Sequence, residues 1–177
     1  LLTAKEHVGN VSGTLGKEVY LMNVGIFGLF ILAYYNLIGA SFNSVTFGII
    51  FCMLCTANSG SHPGNVWPIM LGYVVASFGF SALSGLAGGT YAMTINAQAI
   101  AIGLCFANGL SPICSKYGWL AGVIASVMHF LLVTSVPNMH GGFCLYNGGF
   151  TAAVICVLLV PVLEKCVKTK AEKAAAK

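Results

Sequence analysis

Three short polar segments interrupt an otherwise apolar chain, and their side chains could hold a solute by hydrogen bonds. The first follows Cys55, the second follows Cys105 and the third follows Pro137. All three offer neutral amide, hydroxyl or imidazole groups, which donate or accept hydrogen bonds without a fixed charge. The candidate solute-binding residues are Asn58, Ser61, His62, Asn65, Asn108, Ser111, His140 and Asn147.

Glycine and proline mark the same segments as places where helices would break. The residues expected to break them are Gly60, Pro63, Gly64, Gly109, Pro112, Gly141, Gly142, Gly148 and Gly149. A broken helix in lipid leaves backbone groups without partners, which is tolerated only where the break is buried in protein or lines an aqueous cavity. The helix ends then favour ligands, because N-terminal N–H groups attract anions and C-terminal carbonyls attract cations.

The same polar residues have a structural interpretation. Asn and Ser side chains often cap helix ends, so Asn58, Ser61, Asn108 and Ser111 could serve only to satisfy the backbone at the breaks. The sequence leaves both interpretations open. A further histidine, His129, lies inside an apolar segment, and we interpret it as a buried histidine satisfied by a neighbouring hydroxyl rather than as a functional group.

The first two breaks belong to a repeated pattern. Comparing residue i with residue i+50 gives identities at Ile50/Ile100, Leu54/Leu104, Cys55/Cys105, Ala57/Ala107, Asn58/Asn108 and Ser61/Ser111. After a shift of two residues, Trp67 corresponds to Trp119, and each opens a long apolar segment. Structural repeats of this size are common in transporters. We therefore predict two copies of a unit made of a short helix, a polar break and a long span.

Composition places the chain in a membrane. It is 58% hydrophobic and 7% charged, with neither Arg nor Asp, whereas soluble proteins carry about 25% charged residues. We predict an all-α polytopic membrane protein with short, broken or re-entrant helices and an internal repeat. The lipid bilayer is its first partner, and nucleic acid is not a partner because no basic patch with interleaved aromatics is present.

The apolar segments divide the chain into three parts. Residues 1–18 form a polar connecting or interfacial segment, residues 19–163 form the transmembrane domain, and residues 164–177 form a Lys-rich tail. Within the domain, short segments at about 42–57 and 95–107 each precede a break and a long span, giving four to six spans. The lysines of the tail predict a cytoplasmic C-terminus, because cytoplasmic flanks are enriched in Lys and Arg.

Cysteine and histidine patterns give little support for a cofactor or an enzyme. The seven cysteines are scattered, and Cys52-x-x-Cys55 is a lone pair without zinc-type spacing. We expect no metal and no cofactor. An intramembrane enzyme is a less favoured alternative, because no motif orders a Cys, a His and an acid into a catalytic arrangement.

Several motifs resemble one family of bacterial multi-pass membrane proteins, family fifteen-seventy-six of the domains of unknown function. They are Asn23-x-Gly25, Ser61-His62-Pro63-Gly64-Asn65-Val66-Trp67-Pro68, Ser111-Pro112-Ile113 and the His140-Gly141-Gly142 to Leu145-Tyr146-Asn147-Gly148-Gly149-Phe150 block. The resemblance covers essentially the whole chain. It implies a longer protein with two related halves, of which this chain is the C-terminal one, in a bacterial inner membrane. Members carry a basic residue before the His-Pro pair, where this chain has Ser61, so the resemblance does not extend to a charged solute contact there.

These observations predict part of a secondary transporter or channel for a small neutral or anionic solute. Its partners would be the solute and either the missing N-terminal half or another copy. The alternative is a non-transporting membrane subunit, scaffold or sensor. The transporter hypothesis requires the three breaks to converge in space.

Overall fold

The computed structural model describes residues 7–89, 94–139 and 147–175, and every regular element within them is a helix. The helices are α1 (Val11–Leu15), α2 (Lys17–Leu37), α3 (Ser44–Cys55), α4 (Pro63–Leu86), α5 (Gln98–Ala107), a 3₁₀ turn (Asn108–Leu110), α6 (Ser111–Tyr117), α7 (Trp119–Met139), α8 (Asn147–Cys166) and α9 (Lys170–Ala175). Five helical segments in this part of the chain are long and apolar enough to cross a membrane. The predicted all-α membrane fold is confirmed.

The short helices α3 and α5 lie side by side and run in the same direction. The Gln98 amide of α5 donates to Asn43 Oδ1 at the start of α3, over 3.1 Å. At their far ends, the amide of Asn108 donates to the hydroxyl of Thr56. Contacts at both ends fix the two helices as a parallel pair.

The long helices α4 and α7 form a second parallel pair, and this is the most extensive helix contact in the described chain. Trp67 and Trp119 stack near the two helix starts, with ring centroids 6.0 Å apart. Further along, the ring of Tyr73 meets the edge of Phe130 at 5.3 Å. The units α3–α4 and α5–α7 therefore associate through corresponding elements, as expected if two related units face each other.

Small residues let α4 and α7 approach closely, which is how many membrane helices pack. A Cβ on Gly72 would lie 2.8 Å from the Val123 carbonyl and would overlap the Ser126 hydroxyl. A Cβ on Gly122 would overlap Cys114 Sγ and lie 3.2 Å from Pro68 Cβ. The seam between the two long helices therefore has no room for larger side chains.

The second break is less complete than the sequence suggested. Residues 108–110 form one 3₁₀ turn between α5 and α6, and Gln98–Tyr117 together is long enough to be a single span. Pro112 lies in the first turn of α6, where a missing N–H costs no hydrogen bond.

In the part of the chain that the structure describes, the charged side chains lie at one end of the bundle. Lys116 at the end of α6 pairs with Glu164 near the end of α8, over 3.2 Å. Val11 N–H, in α1, donates to the Asn58 carbonyl of the first break. Helix α1 leads into Lys17 and Glu18, so these two charged residues follow close to the first break in the chain. Residues 19–115 and 117–163 contain no charged side chain. We call the end with the starts of α2, α4 and α7 the charged end, and the end with the starts of α3 and α5 the neutral end.

Candidate functional site

The first break, residues 56–62, is held by an amide from α2. Asn23 Nδ2 donates to the carbonyl of Ser61 at 2.9 Å and to that of Ala57 at 3.3 Å. Asn23 is buried and comes from a helix distant in sequence. It gives the Ser61 carbonyl a partner and adds a second hydrogen bond to the Ala57 carbonyl, which also accepts from Gly60 N–H.

His62 and Asn65 form a reciprocal cap at the start of α4. Nδ1 of His62 accepts a hydrogen bond from Gly64 N–H at 3.1 Å, and Asn65 Oδ1 accepts one from His62 N–H at 2.9 Å. Burial lowers the pKa of His62 to about 4, and the positive charges of His7 and Lys170 add to this effect. The ring is therefore neutral near pH 7, as an acceptor Nδ1 requires.

Asn58 faces the N-terminal segment rather than the second break. Its Oδ1 accepts a hydrogen bond from Ser12 N–H at 2.9 Å, so Asn58 fastens α1. Gly60 beside it has φ +92°, and a Cβ there would overlap the Val8 carbonyl. The N-terminal segment thus lies directly on this part of the first break, which only glycine allows.

The first two breaks meet through corresponding residues. Ser61 Oγ lies 3.1 Å from Ser111 Oγ, and both side chains are buried. Asn65 Nδ2 donates to Ser115 Oγ at 2.9 Å and to the Gly60 carbonyl at 2.8 Å. The predicted candidates Ser61, Asn65 and Ser111 thus lie where the two breaks meet, but Ser61 and Ser111 bind each other and Asn65 binds Ser115 and the backbone.

Asn108 leaves an acceptor available at this meeting point. Its side chain is fully buried. Its Nδ2 donates to Thr56 Oγ1, which in turn donates to the Met53 carbonyl at 2.7 Å. Its Oδ1 is buried and has no hydrogen-bond partner among the described residues. Asn108 lies about 15 Å along the helix axis from Gln98, the start of α5. This is about midway along the Gln98–Tyr117 span.

The described end of the third break lies next to the second. Gly148, in the first turn of α8, is so close to the Phe106 ring that a Cβ would overlap it, and Gly149 follows at the same ring. Asn147 Nδ2 donates to the Val133 carbonyl at 2.8 Å, while its buried Oδ1 has no partner in the described residues. The other predicted members, His140, Gly141 and Gly142, lie outside those residues.

His129 joins α4, α7 and α8. Its Nδ1 lies 2.7 Å from the Tyr73 hydroxyl, and its Nε2 lies 3.0 Å from both the Gly148 carbonyl and the Thr151 hydroxyl. A carbonyl only accepts, so Nε2 carries the proton and Nδ1 accepts from Tyr73. The ring is satisfied on both sides. It fixes the start of α8 beside the second break.

Sequence reasoning missed Asn23, Thr56, Tyr73 and Thr151. Each contacts the site from a different element, and no local pattern pairs these positions.

Among the described residues, no cluster of three or more His, Cys, Asp or Glu side chains could hold a metal ion.

The site can therefore do one kind of chemistry, neutral hydrogen bonding. Among the described residues, its buried groups without a hydrogen-bond partner are the amide oxygens of Asn108 and Asn147.

Comparison with known proteins identifies a family for this chain. No curated protein and no solved structure matches the chain. One family profile, described as Protein of unknown function (DUF1576), matches residues 12–165. Because this match covers most of the chain, the protein belongs to the DUF1576 family.

Proposed function

We propose that this membrane protein forms part of a secondary transporter or channel for a small neutral solute. The observation that carries the proposal is the Oδ1 of Asn108, which is buried where the first two breaks meet and has no hydrogen-bond partner among the described residues. A buried acceptor without a partner costs about 1–3 kcal/mol of stability. A solute that donates a hydrogen bond would offset this cost.

The available groups define the solute. The atoms of Asn108 and Asn147 that have no partner in the described part of the chain are amide oxygens, which accept hydrogen bonds and repel anions. No residue from 19 to 115 or from 117 to 163 supplies a counter-charge. Of the two solute classes considered, we therefore favour a neutral molecule with hydrogen-bond donors over an anion.

The charge distribution supports an orientation. Every charged side chain in the described residues lies at the charged end, and lysines outnumber glutamates. Cytoplasmic flanks of membrane proteins are enriched in lysine. We therefore assign the charged end and the C-terminus to the cytoplasm of a bacterial inner membrane, with the other half of a longer protein or a second copy as partner.

A scaffold is the alternative function, and one observation favours it. Ser61 and Ser111 bind each other, His62 and Asn65 cap the start of α4, and Asn65 also binds Ser115. If the polar residues of every break served only to satisfy the helix ends and to hold the helices together, the protein would have no solute-binding site.

A permeation assay separates the two functions. The full chain in liposomes is exposed to an osmotic gradient of glycerol, urea or erythritol, and volume recovery is followed by light scattering. We expect at least one solute to enter faster than in empty liposomes. Asn108→Ala should slow this entry by about tenfold, because it removes one hydrogen bond to the solute.

The matched control is Asn36→Ala, since Asn36 is an exposed amide at the neutral end and lies outside the site. It should retain the wild-type rate. Equal recovery in empty and protein-containing liposomes for all three solutes would reject the transporter and leave the scaffold.

A further inference from the structure

A cavity at the neutral end is separate from the meeting point of the breaks. Its volume is about 170 Å³, and it lies between the starts of α3 and α5. A cavity of about 150 Å³ suffices for a molecule the size of benzene, so a compact solute of several heavy atoms fits. Two alanines complete the lining, and its polar members are Ser41, Asn43, Thr46, Asn96 and Gln98.

The lining retains unused hydrogen-bonding groups. Asn96 makes no side-chain hydrogen bond to any described residue, and Gln98 uses only its Nε2, toward Asn43 Oδ1. Asn43 Oδ1 is fully engaged, because it also accepts from the N–H groups of Val45 and Thr46. The Asn96 amide and Gln98 Oε1 therefore present both donors and acceptors to an occupant.

The two helix starts at the cavity differ. Asn43 caps α3, whereas α5 begins at Gln98 without any side-chain cap. The first N–H groups of a helix need partners, and those of α5 receive none from a described side chain. The Ile100 N–H is bonded to the Ala97 carbonyl, whereas Gln98, the first residue of α5, lies in the lining.

Charge decides the class of ligand. The lining contains no charged residue, and no charge occurs between residues 19 and 115. A charged ligand would lose its hydration without gaining a counter-ion. A neutral molecule that both donates and accepts hydrogen bonds would find partners for each.

We propose that this cavity is a second binding site, specific for small neutral molecules of the polyol or carboxamide type. The site stands on the cavity and its lining, and does not depend on permeation through the bundle. It would hold the same solute class as the meeting point of the breaks, but at the uncharged surface.

The test is a direct binding measurement on the full chain, labelled with ¹⁵N in lipid nanodiscs. Glycerol and acetamide are titrated separately while the side-chain amide signals of Asn96 and Gln98 are followed by NMR. We expect saturable shifts with a dissociation constant on the order of 10 mM. The amide of Asn36, exposed at the same end but outside the cavity, serves as the internal control and should not show these shifts.

Variants and an anionic probe make the result decisive. Asn96→Ala should weaken binding, measured on Gln98, by about tenfold. The proposal is overturned if Asn96 and Gln98 respond no more than Asn36. It is equally overturned if sodium sulfate, and neither neutral probe, shifts them, since the helix start would then be an anion site. Because the titration reads binding alone, its failure is distinguishable from failure of the permeation assay.

Discussion

At the scale of single residues, the polar side chains of the breaks divide into structural and available groups. His62 and Asn65 satisfy the backbone at the start of α4, as capping residues do, and Ser61 binds Ser111. Asn108 differs because its amide oxygen is buried and accepts no hydrogen bond from any residue that the structure describes. Identity of residue type between the repeats therefore does not imply identity of role, since Asn58 at the corresponding position fastens α1.

We predict that the stability contributed by His62 at the first break is lost in acid. Its folded-state pKa of about 4 lies below the value of 6.5 for a free histidine, so the unfolded chain binds the proton more readily. Stability is therefore complete above about pH 6.5 and falls as the pH drops toward 4. Protonation also removes the acceptor that caps α4. We expect a loss of about 2 kcal/mol at pH 4, allowing for solvent screening.

Thermal unfolding in detergent from pH 7 to pH 4 measures this effect. The control is His62→Asn, which keeps a capping acceptor and does not titrate. It should show a shallower decline than wild type, the other histidines being common to both proteins. Identical pH profiles would show that His62 does not carry the acid sensitivity.

At the scale of elements, the seam between α4 and α7 makes a sharp stability prediction. Gly72→Ala would place a methyl group against the Val123 carbonyl and the Ser126 hydroxyl. Since backbone must move to make room, we expect a loss of about 1–3 kcal/mol. Gly79→Ala is the matched control, because it lies on the same helix with nothing within 4 Å of the new Cβ.

Chemical unfolding followed by circular dichroism compares the two variants. Gly79→Ala should be neutral or slightly stabilising, because alanine favours helix by about 1 kcal/mol over glycine. If both variants were equally stable, α4 and α7 would not be in close contact.

The elements also show what sequence can and cannot predict. Apolar composition and the match of Cys55 to Cys105 were enough to predict helical membrane segments and a repeat. The extent of the second break was not predictable, because Pro112 is compatible with both a loop and the first turn of a helix. The amide of Asn23 could not be assigned to the first break, since hydrogen bonds between distant elements leave no local pattern.

At the scale of the whole molecule, the separation of charge relates the fold to its membrane. Lys116 of α6 pairs with Glu164 of α8, and the charged residues of α9 follow in the tail. These residues lie together at the charged end. The cavity between α3 and α5 opens at the opposite, neutral end. If lysines determine orientation, the cavity faces away from the cytoplasm and the break around His62 lies nearer to it.

Cys166 reports this orientation, because it is exposed and ends α8 at the charged end. In right-side-out vesicles, a membrane-impermeant maleimide should leave Cys166 unlabelled until the membrane is permeabilised, as measured by mass spectrometry of the labelled peptides. Replacing Lys165, Lys168 and Lys170 by Gln removes positive charge beside this span and should give a mixed orientation with partial labelling. Arg at the same three positions keeps the charge and should preserve protection. Full labelling of wild-type Cys166 in intact vesicles would reverse the assignment of the charged end.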